Sequence, residues 1–269
     1  MNCVFCGPVK NCSPFLDKVF SNIEKIATLF DNYVIILYYD ASRDNTLEKL
    51  KKYQIKNPRL QFYVNLNPVS KFRTHRIAHA RNYCIEQIKT NYANYQYFIM
   101  MDFDDPNSKN CNILPLQKYL KREDWDALSF NTKPFYYDIW GLSIYPFCFS
   151  YNHFKSSAKI YYMMRDYVTY KLKTLKNNEL LQCISAFNGF AIYRTEKFLN
   201  CLYDGRINLN LIPKKYMLAN MNVTKSYIVY KDSGNIKGKY EDCEHRSFHV
   251  QAIKNNNAKI MIAPEIIFY

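Results

Sequence analysis

Asp102, Asp104 and Asp105 stand directly after the apolar run Tyr97–Met101. Residues two apart on an extended chain face the same side, so Asp102 and Asp104 can converge on one point. Two adjacent carboxylates repel each other, and a hard divalent cation with oxygen ligands removes that cost. Mn2+ or Mg2+ is the metal such a pair would hold. The cation could also bridge phosphate oxygens and neutralise a departing nucleoside diphosphate, with waters and substrate completing its shell. Asp104 is the expected direct ligand, and Asp102 a second ligand or a ribose or water-mediated partner. The plain alternative makes both aspartates caps at a polar strand end.

Positioning these carboxylates requires a sheet. Asn2–Phe5 reads as a short strand ending at Cys6-Gly7-Pro8. Phe15, Leu16, Val19, Phe20, Ile23, Ile26 and Ala27 recur at helical spacing within Ser13–Phe30. Ser13 is the expected N-cap there and Pro14 the first helical residue. Tyr33–Tyr39 is a continuous apolar run, as in a buried parallel strand. It is followed by the polar loop Asp40–Asn45, a helix at Thr46–Tyr53, a strand at Leu60–Val64, a helix at Arg76–Ile88 and the strand Tyr97–Met101. This order predicts an α/β fold with a doubly wound, mostly parallel, Rossmann-like sheet. Ligands of such sheets sit beyond the carboxyl ends of the strands, which singles out Gly7–Cys12, Asp40–Asn45 and Asp102–Asn107. The second half is less regular. It offers a strand at Asp126–Asn131, an aromatic-rich stretch at Phe135–Ser150, a basic amphipathic helix at Lys155–Asn177, a strand at Phe190–Tyr193 and a polar loop at Lys231–Lys239. With no repeat or low-complexity linker, the chain reads as one domain. Residues 1–130 form the expected nucleotide-binding half and 131–269 an irregular acceptor half.

Composition narrows the partners. The 269 residues carry a net charge of +14, and 48% are hydrophobic, enough for a sizeable core. The basic residues are spread along the chain, which suits phosphorylated small molecules better than sequence-specific nucleic-acid binding. There is no basic leader with an apolar stretch and no apolar run of about 18–20 residues, so a soluble, cytoplasmic protein without a transmembrane segment is expected. Nine cysteines cannot all pair internally, and free thiols fit a reducing compartment. Cys3-x-x-Cys6 with Cys12 lacks the second pair that a structural zinc site normally has. Gly234–Lys239 is one residue short of a phosphate-binding loop and reads better as a lid.

The chain resembles the GT-A glycosyltransferases. The segments carrying the resemblance are Asp40-Ala-Ser-Arg-Asp-Asn-Thr46, Arg76-Ile-Ala-His-Ala-Arg-Asn82, Met101-Asp-Phe-Asp-Asp105, Trp125-Asp-Ala127, Tyr136-Tyr-Asp-Ile-Trp140, Asn188-Gly-Phe-Ala-Ile-Tyr193 and Cys243-Glu-His-Arg-Ser-Phe-His249. Their order is similar to that in the fungal α-1,3-mannosyltransferase and capsule-associated family and in relatives encoded by large DNA viruses. The resemblance implies a sugar moved from a UDP- or GDP-linked donor to a hydroxyl of a glycan or protein acceptor. It places Pro8, Val9 and Asp40 against the nucleotide, and Arg81 and Asn82 near the diphosphate and Asp102. Arg suits that place because its planar fork matches phosphate oxygens. A late histidine, His249 or His245, completes the metal shell in the same reading. Glu244, with Asp242 and Glu241 as competitors, is the general base or an acceptor contact. Trp140, Tyr136, Tyr137, Asp138 and Asn188 line the acceptor, where aromatic faces stack on sugars and a carboxylate fixes hydroxyls. Two other functions compete: a sugar-nucleotide nucleotidyltransferase, for which the first loop is poor in glycine, and a non-catalytic carbohydrate- or polyanion-binding module.

Overall fold

Strand order is set by where the apolar runs lie. In the computed structural model, which describes residues 1–229 and 241–269, eight strands form one sheet. They are β1 (Asn2–Val9), β2 (Asn32–Asp40), β3 (Leu60–Asn65), β4 (Tyr97–Met101), β5 (Ala127–Asn131), β6 (Leu181–Cys183), β7 (Phe190–Arg194) and β8 (Ile260–Ile266). The order across the sheet is β3-β2-β1-β4-β7-β5-β8-β6. β1 pairs in parallel with β2 and β4, β2 with β3, and β5 with β8, while β7 and β6 run against their neighbours. The fold is therefore mixed α/β around a mostly parallel sheet.

Alternation along the strands feeds two cores. Val4, Cys6, Val34, Ile36, Phe98 and Met100 face one layer, which contains α3 (Arg73–Asn91), α5 (Ser157–Thr174), α6 (Lys214–Thr224) and α7 (Glu244–Asn256). Cys3, Phe5, Ile35, Leu37, Ile99 and Met101 face the other, with α1 (Leu16–Ala27), α2 (Thr46–Lys56) and α4 (Leu114–Tyr119). Helices on both faces make the sheet doubly wound and explain why its central strands are apolar throughout. Cys3 and Cys6 are three apart on β1 and so enter opposite cores.

Several expected boundaries move. α1 begins at Leu16, not at Pro14, because the Ser13 amide donates to Asp44 of the loop after β2 at 3.0 Å, and a turn precedes the helix. α3 begins one turn earlier than the apolar spacing predicts, at Arg73. α6, α7 and β8 were not predicted as elements. The loop expected at Lys231–Lys239, with its Gly234–Lys239 motif, lies outside the described residues. Among the described residues no helix is long and apolar enough to cross a membrane.

Candidate active site

The carboxyl end of β4 is built to hold an irregular turn. Asp102 N–H donates to Gly189 O at 2.9 Å, and the buried Asn107 side chain donates to both Asp102 O and Gly189 O at 2.7 Å. Gly189 has φ +81, a left-handed backbone that side-chain-bearing residues rarely adopt, and it turns the chain into β7 beside the aspartates. Gly7 serves differently: a Cβ there would lie 2.2 Å from Met101 O, so only glycine lets β1 approach the end of β4 this closely.

Phe103 is buried in the core while Asp102 and Asp104 flank it on the open side. Together they form the floor of a cleft of about 320 Å³, walled by Pro8, Val9, Lys10, Asp40, Arg73 and Arg76. Partial burial in the cleft, and then the charge of Asp102, push the Asp104 carboxyl up to about 6. Asp40 ends β2 and accepts from Lys10 Nζ at 2.7 Å, with Arg76 Nε 3.6 Å away. Arg73, at the first position of α3, is exposed and lines the cleft. Sequence reasoning missed it. The signal was the set Arg73, Arg76, Ile77 and Ala80, which share one helical face once α3 starts a turn earlier.

A second chamber of about 120 Å³ meets the first at Arg73, Ile77, Asp102 and Tyr137, and continues to Asp138, Trp140, Phe187, Glu244 and His245. Arg81 lies behind Asp102 and is only 3% exposed. Its Nη2 donates to Asp102 Oδ1 at 2.9 Å, its Nε is 3.0 Å from Glu244 Oε1, and its guanidinium lies over the Phe187 ring at 4.5 Å. One buried cation thus holds two carboxylates of the chamber. Burial pushes the Glu244 and Asp138 carboxyls up, opposed at Glu244 by Arg81 and at Asp138 by the Gly141 N–H, which donates at 2.9 Å.

The remaining predicted site residues are placed otherwise. Arg81 is committed to Asp102 and Glu244 and does not line the outer cleft, whose basic wall is made by Lys10, Arg73 and Arg76. Asn82 faces away, exchanging hydrogen bonds with the Tyr203 backbone at 2.9 and 2.8 Å. His249 is fully buried, with Nδ1 3.0 Å from Ser185 Oγ and Nε2 3.1 Å from the Tyr193 hydroxyl. Both ring nitrogens are engaged in the core, which leaves neither for a metal in the cleft. Burial, and then the charges of Arg246 and Arg81, hold its pKa down at about 3. His245 does line the inner chamber, stacked on Phe187 with Nε2 3.6 Å from Glu244. Asp242 is sealed away, accepting from Ser150 Oγ, from Cys243 N–H at 2.8 Å and from Arg246 Nε at 3.1 Å. Glu241 accepts from Thr74 N–H and Oγ1, both at 3.0 Å, at the start of α3. Asn188 is buried and supports the loop that carries Tyr137 and Asp138, its Oδ1 accepting from their amides at 3.0 and 2.9 Å. Tyr136 is buried in the core, whereas Tyr137 and Trp140 line the inner chamber.

The family model for glycosyl transferase family 2 matches residues 5–198, more than half of the chain. The chain belongs to glycosyl transferase family 2. A search of the curated proteins found no match. Among solved structures, this family 2 chain is similar to TarS of S. aureus, residues 1–349, at 13% identity and a TM-score of 0.48, covering 100% of this chain and 60% of that one. It is also similar to the mannosyltransferase PcManGT of Pyrobaculum calidifontis, solved with GDP-Man and Mn2+. There the identity is 15% and the TM-score 0.42, covering 76% of this chain and 47% of that one. The galactosyltransferase LgtC, in complex with donor and acceptor sugar analogs, matches at 10% identity and a TM-score of 0.39, covering 98% and 72% of the two chains. The family 2 chain thus spans about 60% or less of the length of the first two.

Proposed function

We propose that this family 2 chain transfers a sugar from a UDP- or GDP-linked donor to a hydroxyl of a glycan or protein acceptor, with Mn2+ or Mg2+ at Asp102 and Asp104. The observation that carries the reading is that Asp102 and Asp104 share the floor of a cleft with basic walls, where burial and then Asp102 raise the Asp104 carboxyl. The donor set fits a hard cation, since both groups offer charged oxygens. Among the described residues no three His, Cys, Asp or Glu side chains converge as a metal site, so phosphate oxygens and waters would supply the rest of the shell. When bound, the cation would neutralise the departing diphosphate.

The protein's own residues divide the remaining work. Pro8, Val9 and Asp40 line the nucleotide end, and Arg73 faces the diphosphate where the two chambers meet. The sugar enters the inner chamber, whose Trp140 and Tyr137 rings suit its apolar face. Asp138 binds an acceptor hydroxyl, and Glu244 takes its proton. A carboxyl raised by burial is a better base than one in water. Arg81 keeps Glu244 and Asp102 in fixed register from behind. The motif order further favours kinship with the fungal α-1,3-mannosyltransferase and capsule-associated family and its viral relatives.

Nucleoside-diphosphate release from a panel of UDP- and GDP-sugars tests the reading. Release should require Mn2+ or Mg2+ and cease with chelator, even with water as the only acceptor. Glu244→Gln should retain donor binding while transfer to an acceptor falls about 10²- to 10⁴-fold. Absence of both release and donor binding across the panel would overturn the reading.

A further inference from the structure

The basic helix α5 has a use outside the transfer site. Its buried side is Ile160, Met164, Val168 and Leu172, spaced four apart along the helix. The opposite side, running from Lys155 just before the helix, presents Lys159, Tyr162, Asp166, Tyr170 and Lys173, at the same three-and-four spacing. Tyr162 is 54% exposed and Tyr170 65%. Between Lys155 and Lys176 the sequence has six basic residues and one acidic, Asp166, which Arg165 already pairs at 2.9 Å.

The aromatic rings of this face are held in place. The Arg165 guanidinium lies 4.5 Å from the centroid of Phe135 and 4.9 Å from that of Tyr162, so it bridges two exposed rings from separate parts of the chain. Lys155 similarly lies 5.2 Å from the ring of the exposed Tyr227. Lone exposed rings are ordinary, but Tyr162, Phe135 and Tyr227 each packed by a cation, with Tyr170 further along and lysines at the edge, make a surface of defined chemistry.

We infer that α5 and Phe135 form a docking face for an anionic lipid surface, with the tyrosine and phenylalanine rings seated among the headgroups and the lysines paired with lipid charge. The apolar stripe of α5 stays in the protein core, and its exposed face offers what membrane–water interfaces favour, aromatic rings at headgroup depth beside basic side chains. The charge complementarity is direct, since basic side chains next to a bilayer are attracted to anionic lipid. A nucleic acid fits less well, because binding of single strands uses a groove that tracks the backbone, and this face is the outer side of one helix.

Co-sedimentation with vesicles of phosphatidylcholine, alone or mixed with phosphatidylserine, tests the inference independently of any sugar transfer. The intact chain should bind the mixed vesicles and release them at high salt. Because a chain of net charge +14 is attracted to any anionic surface, the test needs a charge-matched control. Lys159→Glu/Lys173→Glu should lower vesicle affinity about tenfold or more, whereas Lys51→Glu/Lys52→Glu on the exposed side of α2 should change it far less. Tyr162→Ser/Tyr170→Ser, which leaves the charge unaltered, should also weaken binding. Equal losses from the two charge-reversal pairs would overturn the inference, as would unchanged binding by the tyrosine variant. Binding of a single-stranded RNA through the same side chains, without binding to vesicles, would reassign the face.

Discussion

Asp102–Asp104 and Asp242–Arg246 are two acidic clusters of one chain with opposite fates. Asp242 is sealed in the protein, and its oxygens are met by Ser150, the Cys243 amide and Arg246. Arg246 in turn donates to Trp140 O at 2.7 Å, to Leu142 O at 3.3 Å and to the Ser143 hydroxyl. Asp242 and Arg246 are both fully partnered, so this pair holds the 140–150 loop against α7. At the end of β4, Asp102 shares the buried guanidinium of Arg81 with Glu244, and Asp104 faces the cleft with Asp102 as a repelling neighbour. The difference shows what makes a carboxylate available for chemistry in this fold: charge left uncompensated by the protein, at a place a ligand can reach. An aspartate stands in each cluster; saturation of its hydrogen bonds and charge sets the two apart.

The largest effect should come from breaking the sealed cluster. Asp242→Ala leaves Arg246 fully buried without its charge partner, and removing one member of a buried pair costs about 3–5 kcal/mol. Urea denaturation should show that loss, accompanied by an unchanged metal requirement in whatever folded protein remains. A stability within experimental error of the parent would mean that the cluster is less closed than its hydrogen bonds indicate. The open cluster should respond in the reverse sense. Asp104→Asn removes a repulsive charge, so its unfolding midpoint should equal or slightly exceed that of the parent. Metal-dependent donor binding should fall, with donor turnover down about 10²- to 10³-fold, in line with losing one electrostatic stabiliser of the leaving group. Unaltered Mn2+-dependent affinity in that variant would remove Asp104 from the metal site.

The same contrast explains how much could be read from the sequence. β1 to β4 were legible because each is an apolar run bounded by polar loops, and the Asp102/Asp104 pair followed from the two-residue period of β4. Asp40 was legible for the same reason, as the polar residue that closes the apolar run of β2. α7 was not. It buries Glu244, His245, Arg246 and His249, so its polar residues point inward and no amphipathic stripe marks it. The inward charges meet partners distant in sequence, among them Arg81 for Glu244 and Ser143 and Ser150 for Arg246. Arg73 was hidden by a polar helix start that lacks apolar spacing. β8 was hidden by Pro264 in the run and by its position between two strands that precede it in the chain.

The smallest effect expected sharpens the contrast at His249, a residue whose type suits a metal site but whose position belongs with the sealed cluster. In the folded chain its pKa is held at about 3, against about 6.5 in an unfolded chain, so folding favours the neutral ring. The associated stability is fully present above pH 6.5 and is lost as pH falls towards 3, because the unfolded chain takes up a proton that the folded one refuses. At pH 5 the loss from this group alone would be about 2 kcal/mol, from the 1.36 kcal/mol that each pKa unit represents. His249→Gln keeps hydrogen-bonding capacity towards Ser185 and Tyr193 but does not titrate. The stability gap between parent and variant should therefore be widest at pH 8 and narrow steadily on the way to pH 5. A histidine serving the metal would give a different pattern: a gap that depends on added Mn2+ and disappears with chelator. Chemical denaturation of both proteins at pH 8, 6.5 and 5, with and without chelator, separates the two. A gap that stays constant over that range would show that His249 is not held neutral by burial, and would reopen the question of what its ring nitrogens bind.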